Sequence, residues 1–579
     1  MIRRSLDAPV HCDQPQTTND RPSNQHNVSR VYSEPGILLD MEAPPSWDGT
    51  SRPVEIGTWR DAPPLQIPGI LGLHRLEIPD RSNWCTANMN VLLVDLNNFS
   101  RYPTMSIGYL TAILRKNGIG VTVFCPLANG VTGYPRVTRA AKWGLIDARV
   151  RYWSATTSNN SIRQYRRKLA KIIQPGNPED SRRIIREIST LLDSNVDAIL
   201  ISTYTMYRNI CEQICEEAKS RGVPSLIGGS YFNHNEIIDD WLEIEGLSAL
   251  SGGEPERYVS SLVRDLVSGS NVSKYPGISV RGWPDYLPAP PLDELDEVPF
   301  PDYSDFPWSA YPNRIIPMMT GRGCAWGACT FCSDVKTSSG RTFRSRSIQN
   351  VFGEMEFQAA RHSTRLFTFL DLKLNSDLEV WKALCAGANK CVPNCKWTAS
   401  VHVDDREDNG LGHGDLENAC DNGLVRITTG LESGSASILD KMAKGTSLAR
   451  ISDFLKLSGR LGISVRLTAI TGYPGERPSD VDRTRQFLED HFDDIERVVL
   501  NRFSVMVGTT FAEQIKRDPD RFPGFSVGET NTEAAQIEFL NKDVATKQHR
   551  QAVFRLLETI HAINRKSLSQ NAQDFEGVM

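Results

Sequence analysis

TGRGCAWGACTFCSD, residues 320–334, begins on the last residue of an apolar run, RIIPMMT (residues 314–320). A short apolar run of this kind suits a buried strand, so Cys324, Cys329 and Cys332 fall on a loop at the strand's carboxyl end. Gly321, Gly323 and Gly327 give that loop its backbone freedom. Three thiolates on a flexible loop can bind three irons of a cubane cluster and leave the fourth iron open to an outside ligand. Zinc is the competing occupant. A closed structural zinc site needs four ligands, and the fourth would have to come from His362 or from the second cysteine group.

Downstream, strands are predicted at LFTFLDL (366–372), WTASVHV (397–403), VRITTGLE (425–432), SVRLTAITG (464–472) and RVVLNRFSV (497–505). Helical periods fall between them, as in IQNVFGEMEFQAAR (348–361), ISDFLKLSGRLG (451–462) and DVDRTRQFLEDHF (480–492). Six strands, each followed by a helix, predict a partial (βα)6 TIM-type parallel barrel over residues 309–515. Residues 516–579 are expected to be a C-terminal helical region, with the helix over about 533–570.

Upstream, MNVLLVDL (89–96), SIGYLTAILRKNG (106–118) and VTVFCP (121–126) make strand, helix and strand within about 35 residues, a βαβ unit. The pattern resumes with VDAILIST (196–203), NICEQICEEAKSRG (209–222), VPSLIGGS (223–230) and LSALSGGEPE (247–256). Residues 88–270 therefore read as an α/β, doubly wound, Rossmann-like sheet. It carries a basic insertion at 131–190, including RQYRRKLAK (163–171) and SRRIIREI (181–188). That insertion is expected to be a solvated helical face over the sheet, or else a contact for phosphate groups. Residues 271–308 contain WPDYLPAPPLDELDEVPFPDYSDFP, in which proline fixes φ and removes donors, so an extended linker is expected. Residues 1–87 are polar and aperiodic and are expected to be partly disordered, although LQIPGILGLHRL (65–76) has apolar residues enough to pack on a neighbour.

At 579 residues the chain is too long for one core. A formal charge of -5 gives no reason to expect a nucleic-acid partner, and no apolar run is long enough to cross a bilayer. The first residues contain two arginines but no apolar segment behind them, so a cytoplasmic protein is expected. In a reducing compartment, clustered cysteines are more often metal ligands than bridges.

The loop CAWGACTFC resembles the signature of radical S-adenosylmethionine (SAM) enzymes: three cysteines with an aromatic residue just before the last. One departure is that four residues, AWGA, separate the first two cysteines where three are usual, which implies an enlarged loop. The resemblance extends over some 200 residues. FLDL, with Asp371, is similar to the second-strand motif, GLESGS (430–435) to the fourth-strand motif, and ITGYPGE (470–476) to the motif on the next strand. It implies a 4Fe–4S cluster on Cys324, Cys329 and Cys332, with Phe331 beside the adenine of SAM. It also implies SAM contacts at Asp371, Glu432, Ser433 and Gly472. In such enzymes one electron from the cluster cleaves SAM to a deoxyadenosyl radical, with flavodoxin or ferredoxin as an external reductant.

The upstream sheet resembles the cobalamin-binding domain that precedes many radical SAM domains. The resemblance implies that Ser202, Thr203 and Thr205 surround the nucleotide tail of cobalamin and that Gly228 and Gly229 let it lie close. A D-x-H-x-x-G sequence is missing, so cobalamin would be bound without a protein histidine. The implied function is a cobalamin-dependent radical SAM methyltransferase. It would move methyl to an unactivated carbon, or a phosphinate phosphorus, of a small-molecule or peptide intermediate such as those of antibiotic biosynthesis. The alternatives are a cobalamin-containing catalyst of rearrangement, cyclisation or oxidation, and a non-catalytic cobalamin or iron–sulfur sensor. Cys385, Cys391 and Cys395 are expected to be structural thiols rather than a second cluster. His402 and His413 are expected near strand ends or loops at the barrel mouth, where either could touch substrate but a solvated loop histidine is the commoner case.

Overall fold

The computed structural model describes residues 89–97, 101–133, 138–157, 159, 161–162, 165, 178–282, 287–334 and 343–578. The expectations for residues 1–87 and most of RQYRRKLAK lie outside these.

The first layer is built from β1 (Asn90–Asp95), α1 (Met105–Lys116), β2 (Gly120–Phe124), α2 (Gly144–Thr156), α3 (Pro178–Leu192) and β3 (Ala198–Ser202). It continues through α4 (Arg208–Ser220), β4 (Ser225–Gly228), α5 (Asn235–Trp241), β5 (Ala249–Ser251), α6 (Val259–Val267) and β6 (Ile278–Ser279). The strand order is β2-β1-β3-β4-β5-β6, parallel except for β6. Apolar runs dictate this arrangement, because both faces of a parallel sheet must be covered. Val91 and Leu93 of β1 pack with α1 and α6, while Leu92 and Val94 pack with α3 and α4. The order reverses between β1 and β3, whose carboxyl ends are Asp95 and Ser202. Such a switch point is where doubly wound sheets take their ligands.

The expected linker is instead a packed strap. Leu292, Leu295, Tyr303 and Phe306 are all buried, and the Tyr303 hydroxyl donates to the Pro317 carbonyl at 3.0 Å. Arg115 of α1 pairs with Asp302 and Asp305. Apolar residues recurring among the prolines make this segment adhere to both layers.

The second layer runs through β7 (Ile315–Met318), the short pair β8 (Gly321–Arg322) and β9 (Arg344–Ser345), α7 (Ile348–His362), β10 (Leu366–Phe369) and α8 (Leu378–Cys391). There follow β11 (Lys396–Val401), α9 (His413–Asp421), β12 (Leu424–Glu432), α10 (Ala436–Lys441), α11 (Leu448–Arg460), β13 (Ser464–Thr471), α12 (Pro478–Asp490) and β14 (Arg497–Arg502). Six parallel strands stand in the order β7-β10-β11-β12-β13-β14, and β7 and β14 are not paired with each other, so the arc stays open. Side chains alternate along these strands. Trp397, Ala399 and Val401 are buried beneath helices, while Ser400, Thr428, Thr468 and Ile470 keep partial exposure on the alternate positions that line the lumen.

The C-terminal region contains more than helix. β15 (Val505–Met506), α13 (Thr510–Arg517), β16 (Phe525–Asn531) and β17 (Gln536–Asn541) precede α14 (Lys547–Asn564), and β15-β17-β16 form an antiparallel sheet. Residues 536–541, expected in a helix, are therefore a strand. Ile537 and Phe539 have a period of two, and Phe539 stacks on Phe525 at 4.8 Å, which favours sheet pairing over a helical turn. Among the described residues, no helix is long and apolar enough to cross a membrane.

Candidate active site at the barrel mouth

The cysteine loop leaves β7 and is tied to its surroundings at four points. The Asp371 carboxylate accepts from Thr320 N (3.0 Å), Thr320 Oγ1 (2.8 Å) and Gly321 N (2.9 Å). Trp326 Nε1 donates to Ala443 O at 2.9 Å. Gly445 has to be glycine there, since a Cβ would sit 2.2 Å from the Trp326 ring. Thr330 N donates to Met442 O at 3.0 Å, and Thr330 Oγ1 meets Tyr473 OH at 2.9 Å. The loop is thus clamped to the turn after α10 and to the ITGYPGE strand. Phe331 lies partly buried against an aromatic cluster that includes Phe503 and Phe511.

All three cysteines are partly exposed. Among the described residues, no three His, Cys, Asp or Glu side chains converge as tightly as a bound metal ion draws them. The buried ammonium of Lys444 lies close enough to Cys329 and Cys332 for their charges to interact. Burial pushes the Cys329 thiol up, and the Lys444 charge opposes that shift. A half-exposed set of three soft donors beside a buried cation fits an anionic iron–sulfur cluster better than zinc, for which a fourth protein ligand is absent from the loop.

Glu432 ends β12 with φ of +57°, an unusual value for a residue with a Cβ, at a break in register between Gly430 and Glu432. The bulge turns its carboxylate to Lys444 Nζ at 2.8 Å. Lys444 carried no motif in the sequence and only tertiary structure reveals it. Ser433 is fully buried and its hydroxyl faces Thr484 Oγ1 at 3.4 Å, away from the lumen. Gly472 has φ of +87°, and its N–H donates to Glu476 Oε2 at 2.6 Å.

Asp371 has its oxygens taken up by the root of the cysteine loop. Burial raises its carboxyl to about 6 despite those donors. Replacing Asp371 by alanine leaves the Thr320 and Gly321 N–H groups buried without acceptors. The expected cost is about 2–3 kcal/mol, seen as a lower urea midpoint together with reduced iron incorporation. Wild-type iron content in Asp371→Ala would show that the loop root does not depend on it.

His402 is buried rather than solvated. It follows β11 on the lumen-facing register, 6.1 Å from the Trp326 ring centroid, and its Nε2 has no partner. Desolvation and the charges of Lys444 and Lys373 hold it down to about 3, so it is neutral. The reason is register: positions 398, 400 and 402 share the inner face. His413 begins α9 and is exposed, as expected. Cys385 and Cys395 are buried at the end of the barrel opposite the cysteine loop, and Cys391 Sγ and Cys395 Sγ lie against the carbonyls of Phe352 and Asn422. His362 packs on Trp308 at that same end.

The carboxyl ends of the first sheet face this mouth. Glu254, in the loop after β5, pairs with Arg344 at 2.7 Å and approaches Arg322 at 3.5 Å, while Glu256 pairs with Arg322 at 2.7 Å. Arg322 lies two residues before Cys324, so the SGGEPE loop is bolted to the cysteine loop. Of the residues implied for cobalamin, Ser202 Oγ accepts from Asn97 Nδ2 at 2.9 Å, and Thr203 and Thr205 are buried. A Cβ on Gly228 would have ordinary space, its nearest neighbour Ser251 O at 3.7 Å. A Cβ on Gly229 would lie 2.3 Å from Thr203 O, so Gly229 serves the approach of the chain to itself. His234, the one histidine in residues 88–270, has its ring against Gly508.

Residues 318–488 match the radical SAM superfamily. An uncharacterized methyltransferase of Pyrococcus horikoshii is 25% identical over 316 residues, covering 53% of this chain and 66% of that protein. A putative methylthiotransferase of Methanocaldococcus jannaschii is 25% identical over 333 residues, covering 54% and 69%. The chain thus spans just under two thirds of the first relative and slightly more of the second. Among solved structures, the radical SAM methyltransferase TsrM of Kitasatospora setae, with tryptophan substrate and a SAM analogue bound, has a TM-score of 0.59 at 15% identity. That likeness covers 81% of this chain and 89% of TsrM. The cobalamin-dependent SAM radical enzyme OxsB, with aqua-cobalamin and SAM bound, has a TM-score of 0.57 at 17% identity, covering 78% of this chain and 64% of OxsB. At such identities the likeness is one of fold. Residues 318–488 thus carry a match to the radical SAM superfamily, and the two-layer architecture is the fold that TsrM and OxsB share.

Proposed function

We propose that the protein is a cobalamin-dependent radical SAM methyltransferase acting on a small-molecule or peptide substrate held in the barrel lumen. The observation that carries this reading is the ion-pair bolt between Glu254 and Arg322/Arg344. It faces the switch point of the first sheet, where a ligand of that fold binds, towards the loop of the three cysteines.

The cluster would be held by Cys324, Cys329 and Cys332, and it supplies reductive cleavage of SAM while cobalamin supplies the methyl group. The chain's own residues hold and orient. Asp371, Trp326 and Thr330 keep the cysteine loop in one conformation. Glu432 and Lys444 set the charge beside it, and the Gly472 backbone supports the adenine side. The packed strap at 287–307 and the Glu254 bolt keep water from the space between the layers. Ser202, Thr203, Thr205 and Gly228 would line the nucleotide tail, and Phe331 the adenine. An external one-electron donor of the flavodoxin or ferredoxin type would supply the electron that reduces the cluster.

Purified protein is expected to bind hydroxocobalamin at about one per chain. The cob(II)alamin form should show no nitrogen splitting in its paramagnetic resonance, because residues 88–270 have no D-x-H-x-x-G sequence. Gly228→Leu, whose Cβ would meet only ordinary contact with Ser251, should weaken binding at least about tenfold with little change in the urea midpoint. Absence of corrin binding by the wild type under anaerobic conditions would remove the methyltransferase reading. A radical SAM enzyme with a non-corrin first layer would then remain.

A further inference from the structure

Among the described residues, a buried chain of three polar side chains stands behind the ITGYPGE segment: Tyr152, His549 and Glu476. They are 8%, 0% and 3% exposed. Only Glu476 belongs to a motif. Tyr152 comes from α2 in the basic insertion and His549 from α14, and both lie outside the matched residues 318–488.

Glu476 Oε2 accepts from Gly472 N at 2.6 Å and from Thr471 Oγ1 at 2.9 Å. His549 Nε2 stands 3.0 Å from the same oxygen. An ionised carboxylate can only accept, so His549 Nε2 carries the proton and donates. That leaves His549 Nδ1, 3.1 Å from Tyr152 OH, to accept a hydrogen bond from the tyrosine hydroxyl. The peptide that follows Gly472 is held as well, since Asn541 Nδ2 donates to Gly472 O at 3.1 Å. The two peptides flanking Gly472, at φ of +87°, are therefore pinned by two side chains, Glu476 and Asn541, with His549 behind the first.

We propose that His549, backed by Tyr152, is a positioning residue for the adenine end of SAM. By holding Glu476 it holds the Gly472 peptide in the conformation that meets the base. His549 touches neither SAM nor the cluster. Its effect travels through one carboxylate and one peptide, as outer-shell partners orient the groups that do make contact. The proposal rests on the reading of ITGYPGE as the strand beside adenine.

The test uses the full chain, reconstituted anaerobically and reduced with dithionite, with deoxyadenosine formation followed against SAM concentration. His549→Ala should raise KM for SAM about tenfold, with kcat within about twofold and iron content unchanged. His549→Gln, whose amide N–H can still reach Glu476, should bring KM back to within about threefold of wild type. Tyr152→Phe, which keeps the ring and loses only the hydroxyl, should raise KM about two- to threefold. A merely structural role predicts otherwise: lower kcat or less folded protein at an unchanged KM, with no rescue by glutamine. That result overturns the proposal. Should His549→Ala not fold, Tyr152→Phe decides, and an unchanged KM there overturns it equally. If the wild type itself neither binds nor cleaves SAM, the radical SAM reading fails first and is recognisable without any variant.

Discussion

Cys329→Ala protein, reconstituted with iron and sulfide under anaerobic conditions, will hold well under one iron per chain where the wild type holds about four. Its deoxyadenosine yield will fall more than about a thousandfold, a loss of about 4 kcal/mol in transition-state stabilisation. The expectation follows from the loop: among the described residues, Cys324, Cys329 and Cys332 are the thiols that share the mouth of the barrel, and Cys329 is the one whose thiol the Lys444 charge most affects. The second trio cannot substitute, because Cys385 is buried within α8 and Cys395 is buried before β11 with its Sγ on the Asn422 carbonyl. Iron analysis and the visible chromophore check the first half of the prediction, and product chromatography the second. A 4Fe–4S cluster retained after removal of all three cysteines would overturn the assignment.

Lys444→Met should have the largest effect on stability of any single change at the mouth. The lysine is almost wholly buried, and its partner Glu432 is 5% exposed with a 2.8 Å contact to it. Removing the cation leaves a buried carboxylate whose remaining neighbour, Thr468 Oγ1, is 3.5 Å away. Breaking such a pair typically costs about 3–5 kcal/mol, most of it the uncompensated charge. The double variant Lys444→Met/Glu432→Gln should therefore recover more than half of the loss, since the charge is gone with its partner. Urea titrations of the wild type, both single variants and the double variant close the cycle. A Lys444→Met loss within about 0.5 kcal/mol of zero would mean that water reaches Glu432 and that the pair carries no weight.

The first layer was legible because a parallel sheet covered on both faces writes itself as unbroken apolar runs, and MNVLLVDL, VDAILIST and VPSLIGGS are such runs. The barrel strands were legible for a related reason, with one residue type alternating against another. β17 was missed because QIEFLN is short, sits in a polar region, and has its period revealed only by pairing with β16. His402 was read as solvated because a histidine after a strand usually meets water. Nothing local says that position 402 shares a face with Thr398 and Ser400 inside an open barrel. Gly229 was read as space for a ligand because paired glycines suggest it. The Thr203 carbonyl that needs the space comes from another strand.

The sequence by itself determined what depends on neighbours along the chain: the strand that launches the cysteine loop, the spacing of its thiolates, the order of strands and helices, and the two-layer plan. These rest on periodicity and on short-range covalent reach. Tertiary structure alone decided what depends on groups far apart in sequence meeting in a place without water. Lys444 gains its role from Glu432 and the cysteines, Asp371 from Thr320 and Gly321, Arg322 and Arg344 from Glu254. His549 gains its role from Glu476 across 73 residues, and Tyr152 from His549 across 397. A charge or hydroxyl has no fixed meaning until burial removes its water and names its partner. Only the folded chain does that.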